Sequence, residues 1–293
     1  MSPRLLLVLA AVLFSTGGAA IKAVDFSAWQ VASLRSGIAA AALLLCLPAS
    51  RRGWGWRPVA LGAAYAATMI LFVLSNRLTT SANAVFIQAT SPVYLVFLAP
   101  LLLGEPTRRR DLLFMLPLVG GLACFLFGSP DPSRTAPDPF TGNLLAGLSG
   151  VCWALTTIGL RWLATGDERR GTPLAAMVAG NLLAFGIALP FALPLPTGQA
   201  AQDWGLLLYL GLFQIALPYS LIAMAMGRVR ALDASLIFLV EPAFNPVVTW
   251  VVHREVPGPW PLAGAVVILA TTVARALDDA RIRRTLDPPA GAA

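Results

Sequence analysis

The stretch Ala231 to Val252, ALDASLIFLVEPAFNPVVTWVV, constrains this chain more than any other. It is about one membrane-spanning length, yet its middle holds a carboxylate, Glu241, an asparagine, Asn245, and two prolines, Pro242 and Pro246. A charge at that depth in hydrocarbon costs several kcal/mol unless it faces protein or water. Each proline removes a backbone hydrogen bond, which membrane helices tolerate where the freed carbonyls face protein or a wet cavity. The segment therefore lines something inside a bundle.

A second copy precedes it. Ala84 to Leu103 reads AVFIQATSPVYLVFLAPLLL, and laying Pro92 over Pro242 puts Gln88 over Phe238, Ser91 over Glu241 and Gly104-Glu105 over Arg254-Glu255. Leu116 to Leu122 falls on Trp260 to Val266 beyond a short insertion, and the segment around Phe14 and Lys22 falls on that around Trp153 and Arg161. The chain reads as a tandem duplication.

Composition agrees with a membrane setting: 57% of the 293 residues are hydrophobic and 12% charged, against about 25% charged in soluble domains. Ten spans are expected, near 4–22, 28–48, 57–76, 80–103, 111–128, 142–163, 172–194, 204–227, 231–252 and 259–276, each close to the ~20 apolar residues a bilayer core requires. The N-terminal run resembles a signal peptide in composition, but its counterpart in the second half marks it as a span. The predicted fold class is thus an all-α polytopic membrane protein. Its divisions are a first five-helix repeat at 1–128, an outer linker at 129–141, a second repeat at 142–276 and a basic tail at 277–293.

With the N terminus cytoplasmic, sixteen basic residues fall inside and four outside, the outer ones being Lys22, Arg77, Arg134 and Arg254, while Arg35 lies within a span. This positive-inside bias places both termini in the cytoplasm. It also accounts for the net charge of +7 without a nucleic-acid partner. Because five is odd, the second repeat enters the membrane inverted, the architecture of secondary transporters that bind near the midplane and alternate access. Small residues recurring every four positions, Gly142, Ala146, Gly150 and Ala154 on the sixth span and Gly120, Cys124 and Gly128 on the fifth, predict close helix packing.

Five plus five helices, Glu241-Pro242 in the ninth span, Gly104-Glu105 after the fourth, Arg35 early in the second and the proline-glycine opening of the tenth together resemble the EamA-type carriers of the drug/metabolite transporter superfamily. The resemblance covers essentially the whole chain, which is similar in length and build to the aromatic and broad-range amino acid exporters of that group. It implies a ten-helix exporter of amino acids or related metabolites in a bacterial cytoplasmic membrane. Two departures are Arg254-Glu255 in place of Gly-Glu and Ser91 in place of a second carboxylate.

Helical spacing proposes the cavity. Phe238, Glu241 and Asn245 share a face of the ninth span, and Gln88 and Ser91 the matching face of the fourth. Tyr65, Met69, Phe72 and Asn76 share a face of the third; Phe14 with Ser15, and Trp153, occupy equivalent places on the first and sixth; the eighth adds Gln214 and Tyr219. Aromatic walls with a few amides and one carboxylate suit a small amphipathic solute. Pro92, Pro218, Pro242 and Pro246 are expected to kink their helices and serve as hinges. Arg35 either pairs with Glu241, holds a substrate carboxylate or is structural, and His253 is expected at the outer surface.

Glu241 is the main candidate for proton coupling, with downhill export an equal alternative. A multidrug cation/proton antiporter, or a carrier of a sugar or nucleoside, is the rival within transport. An enzyme is disfavoured, since no nucleotide-binding GxxxxGK[ST], HExxH or GxSxG occurs. No cofactor or metal ligand set is expected. The expected partners are a small-molecule solute and the lipid bilayer, with a monomer sufficing and the oligomeric state left open.

Overall fold

The computed structural model describes residues 1–127, 132–166, 171–254 and 258–286, and is all-helical there, with no β-strand among the described residues. Among the described residues, eight helical segments are long and apolar enough to cross a membrane: Pro3–Ala23, Ala28–Cys46, Trp56–Leu78, Ser81–Leu103, Pro139–Thr165, Pro173–Ala192, Ala201–Met226 and Ala231–His253. They fall within a few residues of eight predicted spans. The predicted fifth and tenth positions are also helical, at Arg109–Phe127 and Pro259–Leu286, the latter with an apolar stretch at Leu262–Arg275. The final helix continues past the predicted end of its span. Glu255, Arg169, Arg170 and Gly128, used in the sequence reading, lie outside the described residues, as does part of the linker.

Helix starts follow local chemistry. Ser2, Thr80, Asp138 and Thr172 each accept a backbone N–H with the side chain, and Ser27 with Gln30 forms a full capping box. Pro3, Pro139 and Pro173 occupy first-turn positions, where their missing N–H costs nothing.

Four of the eight long spans are interrupted. The first divides into α1 (Pro3–Phe14) and α2 (Gly17–Ala23); α3 (Ala28–Cys46) and α4 (Trp56–Leu78) follow unbroken. The fourth divides into α5 (Ser81–Gln88) and α6 (Ser91–Leu103), ahead of α7 (Arg109–Phe127), α8 (Pro139–Thr165) and α9 (Pro173–Ala192). The eighth comprises α10 (Ala201–Gly211), a π-helical turn over Leu212–Ala216 and α11 (Leu217–Met226). The ninth divides into α12 (Ala231–Ile237) and α13 (Val240–His253), and α14 (Pro259–Leu286) closes the chain.

The fourth and ninth spans correspond position by position: α5 and α12 begin 150 residues apart, and α6 and α13 end 150 residues apart. They also lie antiparallel. Ser81 Oγ donates to Asn245 Oδ1 at 3.0 Å, Ser91 Oγ lies 3.0 Å from Ser235 Oγ, and Arg230 Nη2 donates to Pro106 O at 2.9 Å. One sequence index rises as the other falls, so the two interruptions meet midway along the pair.

Small residues bring the neighbouring helices onto this pair. A Cβ on Gly150 of α8 would sit 2.9 Å from Gln88 O and 3.0 Å from Thr90 Oγ1, and one on Gly142 2.7 Å from the Thr79 backbone nitrogen. With Ala146 and Ala154 fully buried, the predicted sixth-span stripe is a packing face. The fifth-span stripe differs. Gly120 faces open space, and the close approach is made one position on, where Gly121 meets Gly264 O and Ile268 of α14. A four-residue repeat identifies a face without identifying its neighbour, and α14 lies on the adjoining one.

One end of the bundle is tied by ion pairs between residues far apart in sequence. Glu105 meets Arg161 at 2.8 Å and accepts from the Ala231 N–H at 3.1 Å. Arg275 contacts Asp111 at 2.6 Å and Asp233 at 3.1 Å, and Arg230 lies 3.6 Å from Asp111. At the other end, Lys22 Nζ donates to Thr79 O and Thr135 O, and Arg77 donates to Val24 O and Phe26 O. His253 is half-buried, with Nε2 2.8 Å from Ala19 O, so it joins α13 to α2 instead of standing free on the surface.

Candidate functional site

Interrupting a helix frees backbone groups that need partners in the absence of water. In the first span, Ser15 and Thr16 fold their hydroxyls back onto Val12 O and Leu13 O. Side chains from other spans satisfy the remainder. Gln214 Nε2 donates to Leu13 O, and to Phe14 O at 2.8 Å; Asn245 Nδ2 donates to Ser15 O at 3.1 Å. Two amides predicted as cavity groups therefore splint the break. Glycine makes the approach possible, because a Cβ on Gly17 would overlap the Gln214 side chain and one on Gly18 would lie 1.8 Å from Ser81 Oγ.

The fourth span breaks at Ala89-Thr90 and the ninth at Phe238-Leu239, in each case just before the proline, so that Pro92 and Pro242 lie in the first turns of new helices. Their missing donors are harmless there. Pro218 likewise opens α11 directly after the π-helical turn, whereas Pro246 sits inside α13. Three of the four predicted hinge prolines thus border an interruption.

The interruptions surround a cavity whose empty space, its opening included, is about 390 Å³. Its walls include Phe14, Met69, Phe72, Trp153 and Tyr219, with polar Gln88, Gln214 and Glu241, all predicted; Ile215 and Arg35 complete it. A smaller compartment of about 250 Å³ shares Gln88, Trp153 and Glu241 and adds Ser91, Ser235, Phe238 and Pro242. Glu241 therefore stands at the junction of the two.

The aromatic rings form one connected wall. Trp153 meets Phe14 edge-on at 6.4 Å between centroids, Tyr219 at 6.0 Å and Phe238 at 5.4 Å; Phe14 and Tyr219 are 5.2 Å apart. These tilted and edge arrangements are favourable for aromatic quadrupoles. Tyr65 contributes from behind, meeting Tyr219 edge-on at 4.7 Å while its hydroxyl accepts from Asn181 Nδ2. Gln88 is held by donating to Ser149 Oγ at 2.7 Å, which in turn donates to Thr68 O.

The structure does not bring every predicted residue to the cavity wall. Ser15 and Asn245 belong to the splint around the first break, Tyr65 backs the wall, and Asn76 is buried without lining either compartment. Ile215, Ser149 and Ser235 lay beyond the sequence reading. Ser235 was accessible to it, since it lies on the Phe238 face two turns from Glu241, but no rule of spacing places Ile215 in a π-helical turn.

The charges complete the site. Arg35 is 2% exposed, and its Nη2 donates to Met69 O at 3.0 Å. It forms no salt bridge with Glu241 although both line the cavity, which removes one role proposed for it from sequence. Glu241, half-buried in the first turn of α13, has no hydrogen bond or ion pair through its carboxylate among the described residues. Among those residues no cluster of three or more His, Cys, Asp or Glu side chains is placed to hold a metal.

Three comparisons place the chain among known proteins. It is 38% identical over 178 residues to an uncharacterized protein of Pseudomonas aeruginosa, the match covering 59% of this chain and 54% of that one. It is 26% identical over 209 residues to a probable transport protein of Saccharomyces cerevisiae, covering 65% of this chain and 59% of the relative. The chain thus spans less than two thirds of the length of either. A crystal structure with 19% identity shares the fold, with a TM-score of 0.69 over 96% of this chain and 98% of its own. The EamA-like transporter family matches residues 1–127 and 140–274. With both matched segments surrounding the cavity, this multi-pass membrane protein belongs to the EamA-like transporter family.

Proposed function

We propose that the protein exports neutral amino acids, aromatic ones included, and related metabolites across a bacterial cytoplasmic membrane by alternating access. The observation that carries this reading is the aromatic-walled cavity at the point where four interrupted spans meet. An interrupted helix can bend at a defined joint, and irregular backbone at membrane depth is tolerated where it lines a cavity. The halves of the proposed inverted repeat are residues 1–128 and 142–276, of five helices each, with 129–141 as an outer linker and both termini in the cytoplasm. The antiparallel fourth and ninth spans support it. So does the gathering of Arg161, Arg230 and Arg275 at one end, which becomes the inner one.

Counterflow in proteoliposomes tests the reading. Vesicles loaded with unlabelled phenylalanine, methionine or threonine should take up the labelled amino acid saturably and without a gradient. No exchange by well-folded protein rejects amino acids as cargo.

A lipophilic cation is the second reading, favoured by the aromatic rings around the Glu241 carboxylate. The Arg35 guanidinium on the same cavity repels such a solute, so the amino acid reading is preferred. Resistance to lipophilic cations on expression would reverse that order.

A further inference from the structure

We infer that Arg35 and Glu241 are the two poles of the solute site, Arg35 receiving a carboxylate and Glu241 an ammonium group, so that the preferred cargo is a zwitterion. The inference rests on the transport reading above and names the chemistry of its site.

Arg35 is among the largest fully buried side chains of the protein. Its Nη2 is engaged by a neutral carbonyl, and its Nε has no hydrogen-bond partner among the described residues. The buried Arg275, 4% exposed, by contrast holds two aspartates, and Arg161 holds Glu105; Arg77, like Arg35, donates to backbone carbonyls and has an unpartnered Nε, but it does not line this cavity. An uncompensated guanidinium in a low-dielectric setting costs several kcal/mol. Carboxylates have a planar, bidentate match to its fork. A carboxylate is therefore the natural complement of the Arg35 side of this cavity.

Glu241 presents the converse case. It is the one carboxylate lining either compartment, and it too has no ion pair. Had the two charges served only the fold, they would be expected to neutralise each other across the space they share; they stand apart instead. The Tyr219 ring belongs to the same wall as both. A solute bearing both charges would satisfy both residues at once, with its side chain against Phe14, Trp153 and Phe238. A solute bearing one charge leaves the other residue buried and unpaired, which is where discrimination arises.

The experiment is counterflow of labelled phenylalanine against two competitors, phenylalaninamide, which lacks the carboxylate, and 3-phenylpropionate, which lacks the amine. Unlabelled phenylalanine should compete at least about tenfold better than either with the unaltered carrier. In Arg35→Gln its advantage over phenylalaninamide should fall to about threefold or less, with the advantage over 3-phenylpropionate retained; Glu241→Gln should do the reverse. An Arg35→Gln carrier that still discriminates fully against the amide overturns the assignment, as does unaltered protein that accepts all three equally. Should Arg35→Gln fail to fold, thermal melting of the unaltered protein decides. Selective stabilisation by phenylalanine supports the two poles, and equal stabilisation by phenylalaninamide overturns them. Absence of exchange with every amino acid would instead reject the transport reading, a distinct outcome.

Discussion

Gly104 and Arg254 end the two interrupted spans in the same left-handed conformation, at φ 66° and φ 55°, exactly corresponding positions 150 residues apart. Each donates its N–H back to a helix carbonyl, Pro100 O and Trp250 O respectively. Glycine adopts this conformation without a Cβ penalty, whereas another residue there costs about 1 kcal/mol. Arg254→Gly should therefore raise the melting temperature in detergent by an amount corresponding to about 1 kcal/mol, and Gly104→Ala should lower it similarly. A destabilised Arg254→Gly would show that the arginine side chain contributes more than its backbone costs.

Gly18 is where the first break is most tightly clasped. Gly18→Ala would bring its Cβ 1.8 Å from Ser81 Oγ and 2.8 Å from Asn245 Nδ2. Counterflow should drop by at least about tenfold in Gly18→Ala, as expected when overpacking costs roughly 1–3 kcal/mol at a moving joint. Adding Ser81→Ala removes the nearest clashing atom. Recovery of part of the lost rate in the double variant is the diagnostic result, and no recovery would indicate that Asn245 sets the limit.

Asn245 and Gln214 hold carbonyls that an unbroken helix would have satisfied internally. Asn245→Leu removes the donor to Ser15 O in a buried setting, a loss of about 1–3 kcal/mol. Thermal unfolding should register it even where phenylalanine binding persists, because Asn245 does not line the cavity. Loss of binding with an unchanged melting temperature would return Asn245 to the solute site.

At the ion-paired end, the Asp111 side chain is fully buried against Arg275. Asp111→Asn strands part of that charge, and breaking a buried pair costs about 3–5 kcal/mol, with the lower end expected here because Asp233 still holds Arg275. Thermal unfolding measures the loss. If this end opens during the cycle, the same variant should also increase labelling of cysteines introduced there, which a purely structural pair would not produce.

Much of this was readable in the sequence because the membrane makes errors expensive. Glu241, Pro92 and Pro242 stand out in apolar runs, and the structure puts all three at interruptions. The aromatic wall followed from helical spacing. The first-span break went unread because its signal, Ser15-Thr16-Gly17-Gly18, contains no proline and resembles ordinary small-residue packing. Asn245 was assigned to solute because amides inside a bundle serve cargo or backbone alike, and only the position of the freed carbonyls separates the two; Gln214 does both, holding carbonyls while lining the cavity. The π-helical turn likewise begins next to Gly211, which packs closely against Ile38 and the Arg35 carbonyl, a contact that no local pattern announces.

On the proposed duplication, the first and sixth spans are counterparts, yet one is divided at Ser15-Thr16 and the other, α8, runs without interruption for 27 residues. One half thus carries a joint where the other carries a rod. Mirror-image halves would give the solute equal half-saturation concentrations from the two faces; this pair should not. Any uncoupled cycle must still keep the ratio of maximal rate to half-saturation equal in both directions, so the tighter face is also the slower one. The divergence of a single helix would then set the concentration range in which export is fast.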